Sequence, residues 1–244
     1  MNKSVQASRN HGLDAVIAKA GFLILLDKVF KKLGRVRIVI LVEVEQLMVG
    51  SMLNFAYILK SDERKAAVVD ASFGARILFE RLKKEGLELK YILSTHHHFD
   101  HVNQNEELAS LTGAEIVAHA NSPIKRDISV ADGQTIRVGE IVINVVHTPG
   151  HTTDSVCYYA DNSIFTGDTL FVGECGRVDL PGGSAQDMYF SLFQKLCKLP
   201  EETVVYPGHD YGAKPTSTIG YEKRHNYVLK RRTLEEFLEF MATP

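Results

Sequence analysis

The chain has 244 residues, 45% of them hydrophobic, a formal net charge of -2 and three cysteines. That length and hydrophobic content suffice for a substantial core, arranged as one large domain of α/β type or as two small ones. The near-neutral charge offers no overall basic surface for nucleic acid, and three scattered cysteines exclude a disulfide framework and suit a reducing cytosol.

Residues 1–34 read as an N-terminal extension to a domain spanning 35–244. Its apolar run, Ala20 to Leu26, is interrupted by Asp14 and Lys19 on one side and Asp27 and Lys28 on the other. It is too short and too charged for a membrane span, which needs ~20 mostly apolar residues. Asp14 ahead of the run, with no small-residue cleavage pattern behind it, argues against a signal peptide. The expectation is an amphipathic helix packed on the domain or on a partner subunit of a homo-oligomer, with a loosely held extension as the alternative.

From Arg35 the pattern turns strand-like, with Val36, Ile38, Ile40, Val42 and Val44 alternating and a second strand over Leu53 to Leu59. Ala66 to Asp70 reads as a short buried strand, and Ala75 to Lys84 as a helix with Ile77, Leu78 and Leu82 on its apolar face. A strand over Lys90 to Thr95, a helix over 103 to 111 and a strand over Glu115 to His119 follow. Asp132-Gly133 marks a turn, and Ile136 to Val138 with Ile141 to Val146 form a hairpin around Gly139-Glu140. Near the end, Leu234, Phe237, Leu238 and Met241 define one helix face.

The densest chemistry lies at Ser94 to His101, read as Ser-Thr-His-His-His-Phe-Asp-His. On an extended segment alternate side chains share a side, so His96 and His98 point into one space, with Asp100 and His101 following as the chain turns into a helix. Neutral imidazole and carboxylate are ligands for zinc, iron and manganese, and HxHxDH at a strand end predicts a metal site. His97 falls on the opposite side and reads as a non-ligand.

Three later segments repeat the device of a ligand placed just beyond a strand. In His147-Thr-Pro-Gly-His151-Thr, the Pro-Gly turn projects His151, which is favoured over the strand-end His147. In Phe165-Thr-Gly-Asp168, the carboxylate has two oxygens with which to bridge two cations, although a lone Gly-Asp turn carries no such meaning. In Tyr206-Pro-Gly-His209-Asp-Tyr211 a histidine again follows a strand and a Pro-Gly turn.

THHHFDH, HTPGHT, FTGD and PGH, in this order, resemble the metallo-β-lactamase-fold superfamily, and within it the glyoxalase II (hydroxyacylglutathione hydrolase) and persulfide dioxygenase branch. The resemblance covers about residues 40 to 240. It implies an α/β (α+β) fold, a four-layer αβ/βα sandwich with metals at one edge of two mixed sheets. It further implies two divalent ions of zinc, iron or manganese, the first on His96, His98 and His151, the second on Asp100, His101 and His209, with Asp168 bridging.

For glyoxalase II the implied reaction is hydrolysis of a thioester such as S-acyl-glutathione by a metal-activated water, with Asp100 orienting that water or taking its proton. Cys175-Gly176-Arg177 matches the family's CGK motif, making Arg177 a substrate contact; pairing with Asp179 is its structural alternative. Tyr211 matches a tyrosine that contacts the thiol carrier. Only 35 residues follow His209, too few for the helical C-terminal domain of glyoxalase II. Gly176-Arg-Val-Asp179 and the tail from Ser217 resemble persulfide dioxygenases instead, which implies one Fe(II) on His96, His151 and Asp168. Both readings predict a small thiol-derived substrate, a cytoplasmic enzyme, and neither nucleic acid nor a membrane span as partner.

Overall fold

The computed structural model describes residues 42–242; the expectations for residues 1–34 and for the strand positions Val36, Ile38 and Ile40 lie outside them. The first half runs β1 (Glu43–Val49), β2 (Asn54–Lys60), β3 (Lys65–Val69), α1 (Ala75–Glu85), β4 (Glu88–Leu93), α2 (Phe99–Val102), α3 (Asn105–Thr112), β5 (Glu115–His119) and β6 (Ile128–Val130). The second runs β7 (Thr135–Val138), β8 (Ile141–His147), β9 (Val156–Ala160), β10 (Ser163–Gly167), α4 (Ala185–Phe190), β11 (Val204–Pro207), β12 (Ser217–Thr218), α5 (Ile219–His225) and α6 (Leu234–Ala242).

The strands form two six-stranded mixed sheets, ordered β1-β2-β3-β4-β5-β6 and β12-β11-β10-β9-β8-β7. Side-chain alternation explains why they stack. Phe55, Tyr57 and Leu59 of β2 face Val156, Tyr158 and Phe165 of the other sheet in one buried cluster. The intervening Ala56 and Ile58 point outward to Leu78 and Leu82 of α1 and Leu108 of α3. On the far side, Cys157, Ile164 and Val205 meet Met188, Ile219 and Phe237 from α4, α5 and α6. Helix, sheet, sheet and helix therefore form the four expected layers.

Several boundaries differ from the sequence expectation for local reasons. Ile77 is exposed rather than on the buried face of α1, which is formed by Ala75, Leu78 and Leu82. The helix expected over 103 to 111 is α3, which starts only at Asn105, and a separate single turn, α2, ends at Val102 ahead of it. β6, β9 and β12 are strands that the hydrophobic pattern does not single out, and the α4 segment continues as a π turn over Ser191–Lys195. Among the described residues no helix is long and apolar enough to cross a membrane.

What matters for function is where the strands stop. β4, β8, β10 and β11 all deliver their following loops to one edge of the stacked sheets, and bonds across that edge fix their ends. Tyr158 Oη donates to the Ser94 carbonyl at 2.9 Å, and Tyr57 Oη to the Pro207 carbonyl at 2.5 Å. Val156 N donates to Thr95 O at 2.8 Å, and Phe55 N to Gly208 O at 2.8 Å.

Candidate metal centre

Backbone geometry at the strand ends brings all seven predicted ligands together. His96 and His98 follow β4, Asp100 and His101 ride the single turn of α2, His151 follows the loop after β8, and Asp168 and His209 follow β10 and β11. Ligand atoms of His96, His98 and His151 lie within 4.8 Å of one another; so do those of His96, His101 and Asp168, and of Asp100, His101 and His209. His147 turns away, stacked on His119 at 4.1 Å, whereas His151 faces the cluster. His97 also leaves the cluster, its Nδ1 lying 2.6 Å from Asp154.

The imidazole tautomers follow from their outward partners. His151 Nδ1 donates to the Arg177 carbonyl at 2.7 Å, His209 Nδ1 to the Met52 carbonyl at 2.9 Å, and His101 Nδ1 to the Asp70 carboxylate at 2.9 Å. Each acceptor has no proton to give, so each ring must donate there, and in its neutral form it turns a bare Nε2 inward. Thr95 Oγ1 spends its proton on Asp70 Oδ2 at 2.7 Å, so it accepts from His96 Nδ1 at 3.1 Å and leaves His96 Nε2 bare as well. His98 differs from the others by presenting Nδ1, 3.1 Å from His96 Nε2 and 2.9 Å from His151 Nε2.

Those distances test whether a cation fits. His101 Nε2 and His209 Nε2 face each other at 3.1 Å with both outward nitrogens already protonated, so two lone pairs would oppose unless a cation or proton lies between. Asp168 Oδ1 is 3.3 Å from His101 Nε2 and Oδ2 3.5 Å from His151 Nε2, one oxygen toward each half. Its buried Oδ1 accepts no hydrogen bond, a cost that native structures rarely leave uncompensated. The donor set of imidazole nitrogens and carboxylate oxygens suits zinc, iron or manganese.

Proton affinities point the same way. Burial lowers His209, but the carboxylates of Asp100 and Asp168 outweigh it and push the imidazole up to about 10. Burial raises Asp100, and His209 and His101 more than reverse this, driving it far below the carboxylate range. His96, enclosed and among other imidazoles, is held well below the usual range and stays neutral. The ionised acids of the site thus draw positive charge toward His209, while His96 stays neutral.

Sequence reasoning missed the residues behind the ligands. Asp70 accepts from Thr95 N at 2.8 Å, Thr95 Oγ1 and His101, fixing the loop and one ligand together. Asn54 Nδ2 donates to Asp100 Oδ2 at 2.9 Å, and Ser72 Oγ bonds the Asp100 carbonyl. The signal for Asp70 was available: like Asp168, it is an acid just past a buried strand. Gly208 is required by close approach, since a β-carbon there would meet Asp168 Oδ1 at 2.5 Å and His101 Cε1 at 3.0 Å.

The two predicted substrate contacts stand at the rim. Arg177 forms a two-pronged pair with Asp179, 2.6 Å at each prong, and both are exposed. Tyr211 lies flat on the His209 ring, 4.5 Å away at 9°. Cys175 is a packed thiol, pushed up to about 12 by burial and by Glu174, which removes it as a nucleophile.

A model of the metallo-beta-lactamase superfamily matches residues 50–125 and 120–209. The chain belongs to that superfamily. It is 38% identical over 181 residues to a probable hydroxyacylglutathione hydrolase of Schizosaccharomyces pombe, covering 70% of this chain and 70% of that one. It is 32% identical over 194 residues to a probable polyketide biosynthesis zinc-dependent hydrolase of Bacillus velezensis, covering 77% and 86%. Among solved structures, ETHE1 from Myxococcus xanthus superposes with a TM-score of 0.79 at 34% identity, covering 82% of this chain and 90% of the other. These likenesses put the chain in the glyoxalase II-like and persulfide dioxygenase-like branch of the superfamily.

Proposed function

We propose that this protein is a two-metal hydrolase that cleaves a thioester such as an S-acyl-glutathione in the cytosol. The observation that carries the reading is the convergence of seven candidate ligand side chains on two adjoining points, with Asp168 turning one oxygen toward each. His96 Nε2, His98 Nδ1 and His151 Nε2 would hold one ion, Asp100, His101 Nε2 and His209 Nε2 the other, with Asp168 shared. When bound, the cations supply Lewis acidity, lowering the pKa of a water from 15.7 to about 7 and polarising a carbonyl.

The chain's own groups do the rest. Asn54 pins Asp100 Oδ2, so the carboxylate is held in place to accept a proton from the attacking water. Water oxygen bonds to the acyl carbon, the C–S bond breaks, and its electron pair leaves with the thiolate. The proton reaches the thiolate or solvent, giving an acid and a thiol. A thiolate leaves readily, so no further strong acid is needed. Arg177 and Tyr211 contact the thiol carrier at the rim; an exposed pair such as Arg177–Asp179 is readily exchanged for a substrate anion. Cys157, Cys175 and Cys197 are unpaired thiols, in keeping with a reducing cytosol.

A second reading, persulfide oxidation at one Fe(II) on His96, His151 and Asp168, is favoured by Gly176-Arg-Val-Asp179 and fits the likeness to ETHE1. The two separate in one experiment. Cleavage of S-acyl-glutathione without oxygen supports hydrolysis. Oxygen uptake on glutathione persulfide, with no thioester cleavage, overturns it.

A further inference from the structure

The half of the site formed by Asp100, His101 and His209 is bordered by a lip of exposed apolar side chains. Phe99 is 71% exposed, Met52 49% and Leu53 45%. Scattered exposed hydrophobics need no explanation, but these three are tied to the same ligands. Phe99 precedes Asp100 in α2 and stands edge-on to Phe73, 6.1 Å between ring centres. The Met52 carbonyl holds His209 Nδ1, and the Leu53 carbonyl accepts from Asp210 N at 2.9 Å. Asn54, next in the chain, is bonded to Asp100. The turn between β1 and β2 is therefore tied both to the single turn of α2 and to the loop that carries His209.

Leu53 adds an independent observation. Its φ is 59°, a left-handed backbone that favours glycine or asparagine, and its side chain gains little burial in return. Strain retained at an exposed leucine beside reacting groups is expected where that side chain has a task outside the fold.

We infer that Met52, Leu53 and Phe99 form the acyl-chain subsite, making extended aliphatic acyl thioesters the preferred substrate class. This rests on the thioester hydrolase reading above. The acyl carbon must reach the ligand edge, and the chain beyond it then passes over this lip. Each methylene transferred from water onto apolar surface binds more tightly, about fourfold if wholly buried and about twofold on an open lip.

The test uses the metal-loaded full chain and S-acyl-N-acetylcysteamine thioesters from acetyl to octanoyl, whose uncharged thiol stays constant. The expected kcat/KM rises about twofold per methylene, roughly 60-fold across the series. In Leu53→Gly with Phe99→Ser the octanoyl-to-acetyl ratio falls below about fivefold, while Leu53→Gly alone melts no lower than the wild type because glycine relieves the backbone. Cleavage with a flat chain-length profile overturns the acyl subsite and leaves the hydrolase reading standing. No cleavage at any length, of these thioesters or of the matching S-acyl-glutathiones, removes both. A flat profile together with a dimer that these substitutions dissociate assigns the lip to a second copy, and a Leu53→Gly protein melting well below the wild type assigns Leu53 to packing; either overturns the inference.

Discussion

Asp70 offers the sharpest test of how the protein holds its ligands. It is 2% exposed, with φ at 51°, and its carboxylate receives three donors, Thr95 N, Thr95 Oγ1 and His101 Nδ1, at 2.7–2.9 Å. Asp70→Ala strands all three in a region closed to water. A buried donor left without a partner costs about 1–3 kcal/mol. Because the three share one network, their losses overlap, and about 2–4 kcal/mol is expected for the whole. Alanine at positive φ adds to this.

The functional consequence is separate from the folding cost. Without Asp70 the His101 ring is free to rotate or change tautomer, and loss of such a supporting partner lowers metal affinity about 10- to 100-fold. Asp70→Asn is the control: asparagine tolerates the left-handed backbone and fills the space, but it has one acceptor oxygen for three donors. Metal retained after dialysis against a graded chelator, read beside thermal unfolding, measures both effects. The expected result is selective weakening of the His101 half in both variants, with Asp70→Ala the less stable. Wild-type metal retention in both variants would refute the reasoning, whatever their melting temperatures.

Gly208→Ala pushes a methyl against Asp168 Oδ1, the Gly167 backbone and His101 Cε1. A displacement of about 1 Å at reacting groups costs on the order of 100-fold in kcat/KM, the loss expected in a steady-state assay. Asp132 accepts from Lys195 Nζ at 2.9 Å and His147 N at 2.7 Å; burial raises its proton affinity, but these partners leave it lowered overall. A lowered folded pKa means stability present above the unfolded value of about 3.9 and lost as pH falls through the folded one. Asp132→Asn should thus be less stable than wild type at pH 7 by about 0.5 kcal/mol, as expected for a mostly exposed pair, with the difference shrinking in urea titrations as pH falls below the unfolded value of about 3.9.

The clustered side chains were legible as candidate ligands because each follows an apolar strand, and a strand end at a sheet edge is where a side chain can leave the core without losing position. The supporting residues were less so. Nothing local to Asn54 announces Asp100 as its partner, since the two meet only when β2 pairs beside the loop after β4. Which nitrogen His98 presents is likewise decided by tertiary crowding from His96 and His151. Ile77 misled because three apolar residues at 77, 78 and 82 cannot all lie on the narrow stripe that Ala75, Leu78 and Leu82 occupy. β9, with Val156, Tyr158 and Ala160 facing inward and Cys157 outward, lacks polar alternation because both its faces are buried.

The central claim is that two cations occupy the paired ligand sets joined by Asp168. Elemental analysis of the purified wild-type chain, beside Asp168→Asn prepared identically, tests it most directly. The account predicts two transition-metal ions per wild-type chain and a clear loss in the variant. A wild-type protein that holds one ion or none in metal-replete buffer, or a variant that keeps both, would contradict it.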